Sequence, residues 1–361
     1  GRRGRGVRNV RRAGATNEAI RERRSAMSEA TAIAHPNIAL SKYWGKRDGG
    51  GNLPAVPSLS VTLDALRTTT RVRFDETFTH DRVVLGAGEA DPTARGRVIE
   101  LLDRVRAAAG DGRRAEVRSR NDFPTSSGLA SSASGFAALA IAAAGALGLD
   151  WDAARLSDLA RRSSASAARS VYGGFVELDA GPSGAPPETT LSARPVAARD
   201  HFSFAVTICV TTEAPKAISS REGMRVTMAR SPYARAWLDE APRTHAHLRD
   251  ALLARDFARV GELAEASTFA MHASAIAAGV IYWTGATVEA IAAVSALREA
   301  GTLAYASIDA GPHVKVLSRR EDAPRVRGAI DAVPGVTRTI LAHPGEGARL
   351  ALGAEFAEGL S

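Results

Sequence analysis

Lysine is nearly missing from this chain: its 361 residues contain four, against 43 arginines. Where a coding bias has turned generic surface cations into arginine, a retained lysine is informative. It offers a compact point charge on a flexible stem, which arginine's planar fork does not replace in a tight site. Cysteine is rarer still. The single Cys209 excludes an internal disulfide framework and suits a reducing compartment. Lying in the apolar run 202–210, it reads as a buried, inert thiol. Aromatic residues make up only 5% of the chain, so the core is built largely of Ala, Val, Leu and Ile. No uninterrupted apolar run is long enough to span a bilayer, so no membrane partner is expected and the expected location is cytoplasmic. Clusters of Cys and His at metal-ligand spacing, Gly-x-Ser-x-Gly and the Walker pattern are all lacking. Zinc chemistry, a serine hydrolase and a P-loop therefore find no support.

The net charge of +8 is unevenly spread. Residues 1–26 carry nine arginines and two glutamates, and the remaining chain is close to neutral. This segment has little apolar content and no helical period, and reads as a disordered Arg-rich arm. Nucleic-acid binding and targeting are its functional readings. Sequence upstream of a start at Met27, where patterned sequence begins, is the preferred one. The near-neutral body argues against a nucleic-acid partner. The length suggests two domains, 27–200 and 201–361, and mixed helices with largely antiparallel strands indicate an α+β fold.

Punctuation and periodicity place the elements. An apolar stretch over 32–39 is broken at Pro36. The β-branched run 68–74 alternates and reads as a strand. A helix over 98–109 is closed by Gly110. Leu129, Ala133, Phe136 and Ala140 recur at helical spacing, extending a helix to about residue 147. Strands are expected over 172–178 and 202–211, and a helix carrying Val288, Ile291, Val294 and Leu297 stops at Gly301. A hairpin then pairs 303–308 with 313–317 around Asp309-Ala310-Gly311-Pro312.

Four segments can carry chemistry. Ser41-Lys42-Tyr43-Trp44-Gly45-Lys46-Arg47-Asp48 puts two lysines and an arginine among aromatics. It reads as a pocket for a small, densely charged anion, with a solvated charged turn as the alternative. A second segment, from Asn121 to Gly135, is a Pro/Ser/Gly loop running into an Ala-rich helix. Free N–H groups and partial positive charge at such a helix start can hold phosphate, and Ser131 and Ser132 can add hydroxyls to phosphate or Mg²⁺. In Ser163–Ser170, one arginine, Arg169, among serines can clamp a carboxylate bidentately; a solvated helix end is locally the commoner reading. Asp309, ending an apolar strand, is either a turn former or a general base. Lys216 belongs to a further cation-hydroxyl cluster over 215–224, His313 reads as structural or solvent-facing, and Lys315 as a surface residue of its strand.

Together these segments resemble the GHMP kinase superfamily, and within it the diphosphomevalonate decarboxylase family. Residues 124–134 are similar to the superfamily's Pro-x-x-x-Gly-Leu-x-Ser-Ser-Ala loop. Residues 37–48, Arg169 ahead of Tyr172-Gly173-Gly174-Phe175, the run 219–224, Met271-His272, Tyr282-Trp283 and Asp309-Ala310-Gly311-Pro312 are more specific to the decarboxylase. They occur in family order across roughly residues 30–350. Ser163, Ala165 and Ala168 depart from the family's Gly-Ser-Gly-Ser-Ala-Cys-Arg pattern, and Ala165 adds a methyl group before the arginine.

The resemblance implies a ribosomal-protein-S5-domain-2-like N-terminal domain that binds ATP, a ferredoxin-like C-terminal domain, an active site in the cleft between them, and a homodimer. It implies ATP- and Mg²⁺-dependent decarboxylation of mevalonate 5-diphosphate to isopentenyl diphosphate. Asp309, Arg169 and Lys42 would be catalytic. Tyr43, Trp44, Lys46, Ser164, Ser166, Arg169 and Ser219 would bind substrate. Ser126, Ser127, Gly128, Leu129, Ala130, Ser131, Ser132 and Ser134 would hold ATP, with Ser131 on the metal. The competing expectation is a relative that decarboxylates mevalonate 5-phosphate or stops at 3-phosphorylation.

Overall fold

The computed structural model of the chain describes residues 28–123, 131–212, 214, 217–352 and 355. Pro36 splits the first apolar stretch into β1 (Glu29–Ala34) and β2 (Asn37–Ser41), which enter different sheets. Proline offers no N–H to a ladder, so the chain changes sheet there. Then come β3 (Ser58–Thr62), β4 (Thr68–Asp75), β5 (Arg82–Leu85) and β6 (Gly88–Glu89). The first described helix, α1 (Pro92–Ala109), begins six residues before the expected Val98. Asp91 caps it by accepting from the N–H groups of Thr93 and Ala94, Pro92 opens it, and left-handed Gly110 closes it. The polar first turn hid that start from an apolar-period reading.

After β7 (Arg114–Asn121) comes the Ala-rich α2 (Ser131–Ala146), then α3 (Ala153–Ser163), the single turn α4 (Ala167–Ser170), β8 (Phe175–Leu178) and β9 (Arg194–Ala197). The second half runs β10 (Ala205–Val210), α5 (Ser220–Arg230), α6 (Ala234–Leu253), α7 (Phe257–Ile276) and α8 (Gly285–Glu299). It ends with β11 (Ala304–Ile308), β12 (Val314–Ser318), α9 (Ala323–Asp331), β13 (Arg338–Ala342) and β14 (Arg349–Leu350). The expected hairpin is present, Ser307 facing Lys315 across it. The arm, Ser126–Ala130 and Lys216 lie outside the described residues.

Three sheets organise the described residues. One has the order β14-β1-β4-β7-β5-β6, antiparallel except for the parallel pair β5–β7. Its inner face packs on α2, which is apolar nearly all round and so buried on most sides. A second sheet, β2-β3-β8-β9, shares a core with α6, α7 and one face of the third, β11-β12-β10-β13. Helices α8 and α9 cover that third sheet's other face, where Cys209 is fully buried and burial pushes its thiol up to about 11. The chain's end returns to the first half: Pro344 bridges to Leu63, and β14 pairs with β1.

Close approach fixes one glycine in this shared core. A Cβ on Gly261 of α7 would lie 2.0 Å from the Tyr305 ring of β11. The ring is 4% exposed and packs on Phe257, so it has little room to turn. Gly261→Ala should therefore lower stability by about 1–3 kcal/mol, the usual range for overpacking. Denaturant titration of the two proteins checks this; an unchanged midpoint would mean that the ring yields freely.

Candidate active site

β2 delivers the lysine run. Its pairing with β3 shifts register between Ala39 and Ser41, an irregularity that re-aims the residues after it. Ser41 is then tied down: its hydroxyl accepts from the Leu59 N–H at 2.7 Å and lies 2.9 Å from His245 Nδ1 of α6. The other His245 nitrogen faces Glu177 of β8 at 3.4 Å. Burial works against Glu177's charge, but His245 and Arg194 hold its carboxyl down to about 2. This Ser41–His245–Glu177 chain fixes the backbone before Lys42. Its members are distant in sequence, so nothing local flagged it.

Lys42 is 2% exposed and donates to three oxygens: Ala39 O at 2.9 Å, Ser307 Oγ at 2.8 Å and Asp309 Oδ1 at 2.8 Å. Burial pushes its ammonium down to about 8, against the pull of Asp309. Asp309 follows directly on β11 and its side chain is 24% exposed, so it can be reached. Burial alone would raise its carboxyl. Lys42 and Lys315 together hold it well below the usual carboxylate range. The structure corrects the surface reading of Lys315: it is 1% exposed, with Nζ 3.3 Å from Asp309 Oδ2. His313 is likewise buried, not solvent-facing, and lies 3.2 Å from the Thr211 N–H through Nδ1. His272 of α7 is also buried; desolvation and then Lys42 push it down to about 4, so it is neutral.

Arg169 is 1% exposed and, among the described residues, meets only neutral partners. It donates to Ser60 Oγ at 3.0 Å, Ser58 Oγ at 2.7 Å and Asn37 Oδ1 at 3.3 Å. A buried guanidinium with no carboxylate in contact is costly unless an anion comes to it. Burial lowers it to about 10, which leaves it charged at neutral pH.

These groups open on a cleft of about 570 Å³. Its walls carry five cations (Lys42, Lys46, Arg97, Arg169, Arg221), seven serines and one carboxylate, Asp309. Lys46 is pushed down to about 8 by burial and then by Arg221 and Arg97; Arg97 goes down to about 10 through burial and then Arg221. Three cations that repel each other share this part of the cleft, an arrangement that suits a polyanion. Arg97 was not singled out in the sequence, being one arginine among many on a helix. Arg221 lay inside the 215–224 cluster. A depression of about 700 Å³ lined by Arg47, Asp179, Arg235 and Asp239 is less suited to chemistry. Arg235 pairs there with Asp239 at 2.9 Å, so its charges are already answered.

Most expected site residues meet in this cleft. Tyr43, Lys46, Ser131, Ser132, Ser164, Ser166 and Ser219 line it with the central trio. Ser164 and Ser166 hydroxyls are 3.2 Å apart, and Ser219 caps α5. Trp44 touches the cleft but is 1% exposed, set edge-on to Tyr282. Ser134 is turned away, fully buried with its hydroxyl 2.6 Å from Thr68 Oγ1. The Ala165 methyl packs with Ala168, Val176 and Leu178, so the departure from glycine is absorbed in a small apolar cluster.

For a metal, no cluster of three His, Cys, Asp or Glu exists among the described residues. Mg²⁺ does not need one, since it keeps waters and takes substrate phosphates. The Ser131 and Ser132 hydroxyls at the start of α2 are hard oxygen donors that fit it.

Inorganic pyrophosphate should raise the melting temperature of this protein. At about 100 times its Kd the added stability is about 2.7 kcal/mol. Lys46→Ala or Arg97→Ala should shrink the shift. Equal shifts in all three proteins would mean that those cations do not form the anion site.

Two family models cover most of the chain: the diphosphomevalonate decarboxylase-like N-terminal domain over residues 34–189, and the mevalonate 5-diphosphate decarboxylase C-terminal domain over 206–344. A phosphomevalonate decarboxylase of Haloferax volcanii is 35% identical over 84% of this chain and 92% of its own. Mevalonate diphosphate decarboxylase from Staphylococcus aureus has a solved structure at TM-score 0.84 and 34% identity, covering 90% of this chain and 98% of that one. A structure described as MDDEF in complex with MVAPP, AMPPCP and magnesium matches at TM-score 0.83 and 37% identity, over 90% of this chain and 99% of that chain. With both domain models and the solved structures in agreement, the chain belongs to the diphosphomevalonate decarboxylase family and has its two-domain, GHMP-type α+β fold.

Proposed function

We propose that Lys42, Arg169 and Asp309 are the reacting centre of an ATP-dependent decarboxylase that converts mevalonate 5-diphosphate to isopentenyl diphosphate. The observation that carries this reading is the cleft's balance of five cations and seven hydroxyl-bearing serines against one carboxylate. Such a wall suits two polyphosphates and a carboxylate, with a single base among them.

The roles follow from position. Asp309 accepts the proton of the substrate's tertiary 3-hydroxyl as that oxygen bonds to the γ-phosphorus and ADP leaves. The C3–O bond then breaks and phosphate departs. The C1–C2 bond breaks next: CO₂ leaves, and its electron pair forms the C2=C3 double bond. Arg169, held flat by Ser58, Ser60 and Asn37, has its charge available for the substrate carboxylate. Lys42 keeps Asp309 in place and puts positive charge beside the transferring group. Lys46, Arg97 and Arg221 take the substrate diphosphate, with Tyr43, Trp44, Ser164, Ser166 and Ser219 as the surrounding wall. Residues 126–130, with Ser131 and Ser132, are assigned to ATP; Ser134 supports the start of α2 from behind. Ser131 would hold Mg²⁺ together with the ATP phosphates, and the ion would supply charge neutralisation there.

Several finer points belong to the same proposal. The N-terminal unit spans 27–200 and the C-terminal unit 201–361, with the pairing of β14 to β1 tying the chain's end to the first. The ribosomal-protein-S5-like and ferredoxin-like names describe these units. A homodimer and a cytoplasmic location complete the reading.

One observation favours a second reading, decarboxylation of mevalonate 5-phosphate: the 35% identical Haloferax volcanii relative carries that name. The three-cation end of the cleft exceeds what a single phosphate needs, so the diphosphate is preferred. With purified protein and Mg-ATP, CO₂ and ADP should form in equal amounts from the diphosphate and hardly at all from the monophosphate. ADP without CO₂ would leave only a kinase, and turnover of the monophosphate alone would move the protein to the second reading. Asp309→Asn should lower kcat by at least about 100-fold while KM changes little, as for a group acting in the transition state. Near-normal turnover in that variant would remove Asp309 from the mechanism.

A further inference from the structure

Asp309 is gripped twice. Lys42, at the end of β2, binds Oδ1 at 2.8 Å, and Lys315, within β12, lies 3.3 Å from Oδ2. The hairpin register explains the second contact. Lys315 faces Ser307 across β11–β12, so the two share one side of the ladder, and Asp309 follows directly on the end of β11. Lys42 also donates to Ser307, which brings both ammonium groups to one strand end. Lys315 does not line the cleft. Its ion pair with Asp309 links it to the cleft.

We propose that Lys315 is a positioning residue, a second cation that fixes Asp309 from behind so that the carboxylate enters the reaction ionised and aimed at the substrate hydroxyl. The need arises from the ligands. Mevalonate 5-diphosphate and ATP bring two polyphosphates and a carboxylate towards a lone acid, and like charge nearby favours its protonation. One lysine shared among three acceptors leaves the second carboxylate oxygen open to rotation or a proton. A second, buried lysine closes that route.

Other charged groups around the pair are accounted for. Arg169 of α4 adds positive charge from the N-terminal half, His272 of α7 is neutral, and the Cys209 thiol of β10 is kept protonated. Lys315 lowers the affinity of Lys42 for its proton, and so does Arg169. Removing the Lys315 charge must therefore let Lys42 hold its proton to higher pH.

The scarcity of lysine makes this measurable. Protein labelled with ¹³C at the lysine ε-carbon should give four signals, for Lys42, Lys46, Lys216 and Lys315. In the wild type the Lys42 signal should titrate near pH 8. In Lys315→Met and Lys315→Gln, two variants that remove the charge at similar size, its midpoint should move upward. The alkaline limb of kcat/KM, which reports the free enzyme, should move with it. Turnover should fall at least about tenfold with KM nearly kept. An unmoved Lys42 midpoint in either folded variant would overturn the proposal, as would wild-type kcat. A parallel loss of kcat, KM and melting temperature with no shift in pH would assign Lys315 a purely structural role and overturn it too. The proposal rests on Asp309 acting in the decarboxylation. Should wild-type protein release no CO₂, that reading fails, while the titration still decides whether Lys315 clamps Asp309.

Discussion

The ion pair between Lys42 and Asp309 joins the two halves of the chain inside the cleft. Lys42 comes from the sheet β2-β3-β8-β9 and Asp309 from the hairpin of the third sheet. Burying such a pair is expensive, and the mutual attraction offsets that cost only if the other donors and acceptors are met. The surroundings meet them. Ala39 O and Ser307 Oγ take the remaining ammonium protons, and Lys315 stands at the second carboxylate oxygen. The shared apolar core of β2, β3, β8, β10, α6 and α7 holds the two sides in register, so the pair is fixed by packing that is itself non-directional.

Around this pair the cleft is left electrically incomplete. Lys46, Arg97 and Arg169 all have their proton affinity lowered chiefly by burial, and Arg169 has only neutral partners among the described residues. Buried cations of this kind favour anionic ligands. Strain of this sort reduces stability in exchange for binding. It is also local. With the body outside the arm nearly neutral, the attraction for polyphosphate comes from the convergence of a few side chains rather than from the whole surface.

Much of this was legible in the sequence. Pro36, Gly110 and Gly301 punctuated elements where the structure ends them, and the segments around Lys42, Arg169 and Asp309, each open to a bland reading by itself, meet in one cleft. What escaped was long-range. Lys315 alternates along its strand as a surface residue would, yet both faces of that strand are covered, and alternation says nothing about a second layer. Arg97 sits on an ordinary helix face, and only the fold brings it opposite Lys46 and Arg221. Ser134 reads like the serines before it, but one helical turn separates a residue facing the cleft from one facing β4.

The few retained lysines gain a physical reason from these surroundings. Lys42 has three N–H donors and three oxygens placed to take them. A guanidinium has five donors in one plane, and in a pocket 2% exposed two of them would be left without partners. Lys315, 1% exposed, likewise brings a compact ammonium to Oδ2. Arg169 shows the converse. Its partners Ser58, Ser60 and Asn37 are three neutral oxygens met by three different guanidinium nitrogens, a fit that one rotating ammonium could not reproduce.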